Sequence, residues 1–326
     1  MNQLSEICRP IEGDLQAYRQ LFEQTLQQEN PLLQMAINHL LQRPGKLVRP
    51  ILVLLSARYV GKVNDAVFHT AVALELLHTA SLVHDDVVDH SDRRRGQKSV
   101  NALLNNHIAV LVGDFLLSKA LYHAAATGST QVVTWVSELG QTLSDGELLQ
   151  IANTDKKTIS EEDYYEVIRK KTAALFITCA KAGAFLAGGS DEEVKGLEAF
   201  GEAVGTCFQL RDDIFDYDQQ NNTGKPTGND MKEGKLTLPV IHALLASKDE
   251  QMFALAMRVR QGEASETEIQ QLVDFALTQG GIAYTREAMA KYSQRALDAL
   301  PNKESRDPAI AESLASYVNF VVGREK

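Results

Sequence analysis

No proline occurs between Pro50 and Pro226, and along that stretch apolar residues return at three- and four-residue steps. Leu74, Leu77, Ser81 and Asp85 form one such series, and Leu197, Phe200, Val204, Phe208 and Asp212 form another. A period near 3.6 residues marks a helix face, whereas a half-buried strand alternates every second residue. Alternating runs closed by tight hairpin turns are missing, so the chain reads as all-α. The pattern predicts helices over roughly 14–28, 31–42, 48–60, 65–90, 108–126, 130–152, 161–188, 193–220 and 235–247, with more to about 321.

Both series run into carboxylates. Asp85-Asp86-Val87-Val88-Asp89 and Asp212-Asp213-Ile214-Phe215-Asp216 share one internal spacing. At about 100° per residue, the three aspartates of each cluster lie within roughly 100° of arc on one side of a helix. A single DDxxD in an acidic protein suits a solvated helix face equally well. Two copies on apolar helices are different, because uncompensated carboxylates there are costly and repel one another. Hard divalent cations, with phosphate oxygens completing the coordination, would relieve both problems.

The rest of the composition narrows the class. The 326 residues are 44% hydrophobic and 23% charged, an ordinary globular balance, and no linker divides them, so one domain over 1–326 is expected. A formal net charge of −10 argues against a nucleic-acid surface, the dense basic runs such as Arg93-Arg94-Arg95 being only three residues long. Cys8, Cys179 and Cys207 are isolated and odd in number, which suits a reducing cytoplasm rather than a disulfide framework. The first residues lack the order of a signal peptide, and no apolar run was expected to span a membrane, so stable insertion is not predicted.

Cationic and hydrogen-bonding groups accompany the carboxylates. Arg94 and Arg95 follow the first cluster by about one turn, and arginine forks match phosphate oxygens. Lys46 and Arg49, in Gly45-Lys46-Leu47-Val48-Arg49-Pro50, share a helical face at i, i+3 but lack the glycines of a Walker loop. His78 precedes Asp85 by two turns on the same face. Lys171, Thr172 and Gln209 stand near the second cluster, although Lys171 in Arg169-Lys170-Lys171 equally suits a solvated helix end. Segment 221–235, NNTGKPTGNDMKEGK, combines glycines, a proline and lysines including Lys225 and Lys235, as a closing loop over a phosphate would.

Together GKLVRP at 45–50, ELLHTASLVHDDVVDHSDRRRG at 75–96, KT at 171–172, FQLRDDIFD at 208–216 and GKPTGNDMKEGKLTLPVI at 224–241 resemble the trans-isoprenyl diphosphate synthases. The resemblance implies an isoprenoid synthase-type bundle of antiparallel helices around a deep central cavity, usually in a homodimer. It implies Mg²⁺, about three ions per active site, held by Asp85, Asp86, Asp89, Asp212, Asp213 and Asp216, with Asp216 acting less directly. Arg94, Lys171, Thr172, Gln209, Lys225 and Lys235 correspond to the site of the allylic diphosphate primer, Gln209 near the reacting carbon. Lys46, Arg49, His78 and Arg95 correspond to the isopentenyl diphosphate site. Gln97-Lys98 departs from the family's usual Lys-Pro, which bears on local loop shape.

The implied reaction is ionisation of the allylic diphosphate, attack by the double bond of isopentenyl diphosphate, and loss of a proton to the released diphosphate. A terpene cyclase would not need the isopentenyl diphosphate site, and a non-catalytic subunit could shed aspartates that are all present here. The growing tail is expected to run from Asp85 toward the start of its helix, each turn of about 5.4 Å matching roughly one isoprene unit. Ala80 and Ser81 are small where short-chain members often carry aromatics, which points to a long all-trans-polyprenyl diphosphate for a quinone side chain; geranylgeranyl or farnesyl diphosphate is the alternative. Leu77, Tyr122 or Trp135 could form the floor. Ala80→Tyr should shorten the products, read by sizing extracted prenols; an unchanged distribution would remove Ala80 from the tunnel.

Overall fold

Asparagine and serine side chains start the helices. Asn30 accepts from the Leu32 and Leu33 amides, Asn64 from Val67, and Asn105 from Ile108, each meeting amides that the first turn leaves without partners. The computed structural model describes residues 3–43, 45–217, 228–301 and 306–324. They begin with α1 (Gln3–Cys8), a 3₁₀ turn (Arg9–Ile11), α2 (Glu12–Thr25), α3 (Pro31–Leu41), α4 (Val48–Val60) and α5 (Asp65–Val88). A small hairpin of β1 (Arg93–Arg94) and β2 (Gln97–Lys98) leads to α6 (Val100–Leu103), α7 (Asn106–Ala126), α8 (Thr130–Thr154) and α9 (Glu161–Ile168). After a π-helical turn (Arg169–Ala173) come α10 (Ala174–Leu186), α11 (Asp191–Phe215), α12 (Asn229–Lys232) and α13 (Leu238–Ser247). The last are α14 (Glu250–Arg260), α15 (Glu266–Thr278), α16 (Gly281–Ala299) and α17 (Pro308–Gly323).

The all-α expectation holds, with informative departures. The two aspartate-bearing helices stop at Val88 and Phe215, so Asp89 and Asp216 fall just past their ends. The expected helix over 161–188 contains the π-helical turn at Lys170, Lys171 and Thr172. The hairpin pairs Arg93 with Lys98 and Arg94 with Gln97, turning through Arg95 (φ 51°) and Gly96 (φ 76°). Left-handed backbone at both turn positions is the tight hairpin geometry that twists with its strands.

By contact the chain divides into two compact units. The first comprises residues 1–140, 175–198 and 300–316; the second comprises 141–174, 199–299 and 317–326. In the first, α4 buries Ile51, Leu52, Val53, Leu54 and Leu55, an apolar surface on every side that marks a central helix. α10 crosses it at Gly183, where a Cβ would sit 2.3 Å from the Val53 carbonyl oxygen. α5 packs against α4 and α7. Its His84 lies over Gly113 of α7, where a Cβ would fall 2.1 Å from His84 Nε2, and this fixes α5 beside Asp85. In the second unit α13 packs on α15 and α16, and the His242 and Tyr284 rings stack with centroids 3.8 Å apart.

Both α5 and α7 are long and apolar enough to cross a membrane by length and composition, a test that a buried core helix passes equally well. α5 is mostly buried and bears Glu75, His78, Asp85 and Asp86, as a polar-lined core helix does. α7 leaves Leu111, Leu121 and Tyr122 exposed, so Tyr122 is no buried floor within its unit.

One polar knot lies between α2, α5 and α7. His123 is buried, with Nδ1 2.8 Å from His69 Nδ1 and Nε2 2.9 Å from Thr25 Oγ1. Burial, with His69 and Lys119 nearby, pushes its pKa down to about 4. The folded state therefore resists protonation, and stability is lost as pH falls below the ordinary histidine value toward that pKa. Thermal unfolding should show a loss of up to about 2 kcal/mol between about pH 7 and pH 5, diminished in His123→Asn; an equal loss in the variant would assign it elsewhere.

Candidate active site

Carboxylates at the end of a helix add to the negative pole of its backbone dipole, so both aspartate clusters demand positive charge. In the first unit Asp86 is buried, and Arg94 Nε and Nη2 donate to its Oδ1 at 2.9 and 2.6 Å. Burial raises the Asp86 pKa while Arg94 opposes the rise. Asp85 is half-buried and Asp89 exposed. The ion pair at this helix end thus belongs to Arg94 and draws the hairpin onto α5.

Of the residues expected to hold isopentenyl diphosphate, Arg49, His78 and Arg95 come together in the same unit. Arg49 lies 5.2 Å over the Phe176 ring, and Lys46 is exposed just before α4. Leu47 between them has a left-handed backbone (φ 52°), a conformation that is strained outside glycine and concentrates at functional sites. Burial, with Arg49, Arg95 and Arg94 around it, holds the His78 pKa well below the ordinary value, so its imidazole is neutral. Buried Glu75, one turn before His78, is pushed up by burial and opposed by Arg49 and Arg95.

Arg95 is positioned by its backbone as much as by its charge. Arg43 Nη1 donates to the Arg95 carbonyl oxygen and Arg95 Nη1 to that of Arg43, both at 3.2 Å. A Cβ on Gly45 would lie 2.9 Å from Arg95 Nη2, so the guanidinium packs closely over this glycine. Gln97 Nε2 donates to the His39 carbonyl at 3.1 Å, and His39 Nε2 lies 2.7 Å from that of Lys98. The Gln97-Lys98 departure is thus absorbed into a hairpin tied to α3. Arg43, Glu75 and His39 were not singled out from sequence; Glu75 was detectable as a buried-pattern acid three residues before His78.

In the second unit a hydrogen-bond chain orders the other cluster. Thr172 Oγ1 donates to Gln209 Oε1 at 2.7 Å, which turns Gln209 Nε2 toward Asp213 Oδ1 at 2.9 Å. The Tyr164 hydroxyl donates to Asp213 Oδ2. Asp213 is fully buried, and burial pushes its pKa up to about 7 against these donors. Asp216 accepts the Asn229 amide at 2.9 Å through Oδ1 and the Asp230 amide at 3.1 Å through Oδ2, so it starts α12. Asp212 is the more accessible carboxylate, its side chain 36% exposed, and Arg324 Nη2 meets its Oδ1 at 2.7 Å. Tyr164 and Arg324 had no local motif to reveal them.

The lysines differ in setting. Lys171 lies in the π-helical turn, 22% exposed, with Nζ 2.5 Å from Glu147 Oε1 and 3.0 Å from Gln150 Oε1. The turn presses against α8 at Gly146, where a Cβ would come within 2.9 Å of Lys170 Cβ and Lys171 Cγ. Such turns are rare and frequent at functional sites. Lys235 pairs with Glu233 at 2.6 Å. Lys225 and the rest of 221–227 in the expected closing loop lie outside the described residues. Ala80 is 2% exposed on α5, and Ser81 Oγ donates to the His78 carbonyl at 2.9 Å. Leu77 is buried, and Trp135 packs edge-on against Phe185.

The polyprenyl synthetase family profile matches residues 30–276. The chain belongs to the polyprenyl synthetase family. An octaprenyl diphosphate synthase of Escherichia coli (strain K12) is 37% identical over 283 residues, 86% of this chain and 87% of that protein. The structure of a geranylgeranyl pyrophosphate synthase from Bacteroides thetaiotaomicron is 44% identical, with a TM-score of 0.86, covering 99% of this chain and 100% of that one. A polyprenyl synthase from Caulobacter crescentus CB15, complexed with calcium and isoprenyl diphosphate, is 30% identical with a TM-score of 0.89, covering 98% of each chain.

As a polyprenyl synthetase this chain is a trans-prenyltransferase acting on prenyl diphosphates, in a family that uses divalent metal. Its donor set suits a hard cation, since both clusters offer oxygen alone at the negative ends of α5 and α11. Among the described residues no three acidic, histidine or cysteine side chains are grouped to hold a metal by themselves. Diphosphate oxygens and water would have to supply further ligands. Tyr164→Phe, which leaves Asp213 Oδ2 without that donor, should cost about 1–3 kcal/mol of stability and lower turnover, measured by unfolding and product formation; an unaffected enzyme would show that Asp213 does not depend on this bond.

Proposed function

We propose that the chain is an Mg²⁺-dependent synthase that adds isopentenyl diphosphate successively, 1′-4 and trans, to an allylic primer, yielding a long-chain all-trans-polyprenyl diphosphate for a quinone side chain. The observation that carries this reading is that α5 and α11 each end in an aspartate cluster, while in the first unit Arg49 and Arg95 lie around His78 as a cationic site of their own. The clusters suit a metal-bound diphosphate, and the cationic site suits a second diphosphate bound without metal.

Asp85, Asp86, Asp89, Asp212 and Asp213 would hold about three Mg²⁺ ions, with Asp216 acting less directly, through the Asn229 and Asp230 amides it accepts. Bound metal neutralises charge on the departing diphosphate. Lys171, Lys225 and Lys235 bind the allylic diphosphate, and Arg94 joins them by exchanging its bond to Asp86 for phosphate oxygens. Thr172 turns Gln209, whose amide faces the reacting carbon. Lys46, Arg49 and Arg95 hold the second diphosphate, and neutral His78 donates a hydrogen bond to it. Breaking the allylic C–O bond leaves a carbocation, the isopentenyl double bond attacks it, and the proton lost passes to the released diphosphate. Excluding water protects the cation from capture.

Small Ala80 and Ser81 on α5 favour the long product, in keeping with the octaprenyl diphosphate synthase relative. The 44% identity to a geranylgeranyl pyrophosphate synthase favours a second reading, in which growth stops at geranylgeranyl diphosphate. The reading takes 1–326 as one domain and the active form as a homodimer, supported by exposed Leu111, Leu121 and Tyr122 on α7. Three free cysteines support a cytoplasmic setting. Purified chain with farnesyl diphosphate, radiolabelled isopentenyl diphosphate and Mg²⁺ should give long all-trans products, and Asp85→Ala should reduce turnover at least about 1,000-fold while remaining folded. Near-normal turnover of the folded variant would sink the assignment, and a C20 product would select the second reading.

A further inference from the structure

Arg324 lies beyond every motif considered so far, yet its guanidinium is the partner of the most accessible aspartate in the second cluster. One face of α11 receives it. The guanidinium stacks 3.7 Å over the Phe208 ring, donates to the Phe208 carbonyl at 3.0 Å, and reaches Asp212 Oδ1 at 2.7 Å, one turn further along. Arg211, between them in sequence, donates from Nε and Nη2 to the Arg324 carbonyl at 3.1 and 3.0 Å, while lying over the Phe215 ring at 4.6 Å. Phe208, Arg211, Asp212 and Phe215 thus follow the i, i+3, i+4, i+7 pattern of one helical face and enclose the residue that follows α17.

The side chain of Arg324 is 11% exposed, and its Nε is buried with no hydrogen-bond partner among the described residues. A guanidinium so placed is held firmly by its ring contact and carbonyl, but is incompletely satisfied. Asp212 is in a different position from its neighbours. Asp213 takes donors from Tyr164 and Gln209, and Asp216 takes two backbone amides, whereas Arg324 supplies the positive charge at Asp212.

We propose that Arg324 is a positioning residue that sets the metal affinity of Asp212: guanidinium and divalent cation compete for this carboxylate, so metal binding releases the end of α17. The proposal rests on reading Asp212 as a metal ligand. A cation already seated on Oδ1 repels a divalent ion approaching the same group, and metal capture must break that ion pair. The stacking on Phe208 then remains as the resting place of the displaced side chain. Without metal, the same pair prevents Asp212 from standing uncompensated at the negative end of α11.

The test is Mn²⁺ binding to the full chain, followed by electron paramagnetic resonance of free Mn²⁺, together with hydrogen exchange at the end of α17. Arg324→Ala should lower the half-saturating Mn²⁺ concentration about three- to tenfold, and Arg324→Lys, which keeps the charge, should remain near the parent. Adding Asp212→Asn should abolish the gain. In the parent chain Mn²⁺ should accelerate exchange over about 319–324, and in Asp212→Asn exchange there should already be fast and insensitive to Mn²⁺. Weaker or unchanged Mn²⁺ binding in Arg324→Ala, with Asp212→Asn still impaired, would overturn competition while leaving Asp212 as a ligand. Unimpaired Mn²⁺ binding in Asp212→Asn would overturn both. Should Arg324→Ala fail to fold, Arg324→Lys and the parent exchange data decide, and exchange unaffected by Mn²⁺ would refute the proposal.

Discussion

The compensation of negative charge at two helix ends governs the local arrangement in each unit. α5 and α11 both finish among aspartates, where side-chain charge and backbone dipole have the same sign. Each unit answers this differently. At α5, Arg94 returns from the hairpin to Asp86, so the tight turn through Arg95 and Gly96 is part of the electrostatic solution. At α11, Asp213 is met by Tyr164 and Gln209, Asp216 by the first amides of α12, and Asp212 by Arg324. The protein meets the demand for cations in part with its own groups.

The same constraint explains why the cationic site in the first unit is built so carefully. Three arginines near one histidine would repel one another in an apolar setting, and buried Glu75 offsets part of that charge. Glycine at position 45 makes room for Arg95, and reciprocal bonds from the Arg43 and Arg95 guanidinium groups to each other's carbonyl oxygens hold two loops in register. The neutral state of His78 follows from its surroundings, so it contributes hydrogen bonding without adding a further charge.

Much of this was legible in the sequence because the chemistry is local. DDxxD spacing places three carboxylates on one side of a helix whatever surrounds it, and His78 shares the face of Asp85 by arithmetic alone. The segments around 45–50, 75–96 and 208–216 were recognisable for that reason. The helix ends were less so. Nothing in the pattern forces α5 to stop at Val88 or inserts a π-helical turn at Lys171, since both depend on packing such as the close approach of Gly146.

By itself the sequence determined the all-α architecture, the two carboxylate clusters and the class of chemistry, because helical period and residue type are set by near neighbours. Only the tertiary structure decided which aspartate is buried, which is bonded to backbone and which is paired. Tyr164 and Asp213, or Asp212 and Arg324, are far apart along the chain and meet through folding alone. Burial and partner, not residue identity, set the charge and availability of each carboxylate, and both are properties of the packed molecule.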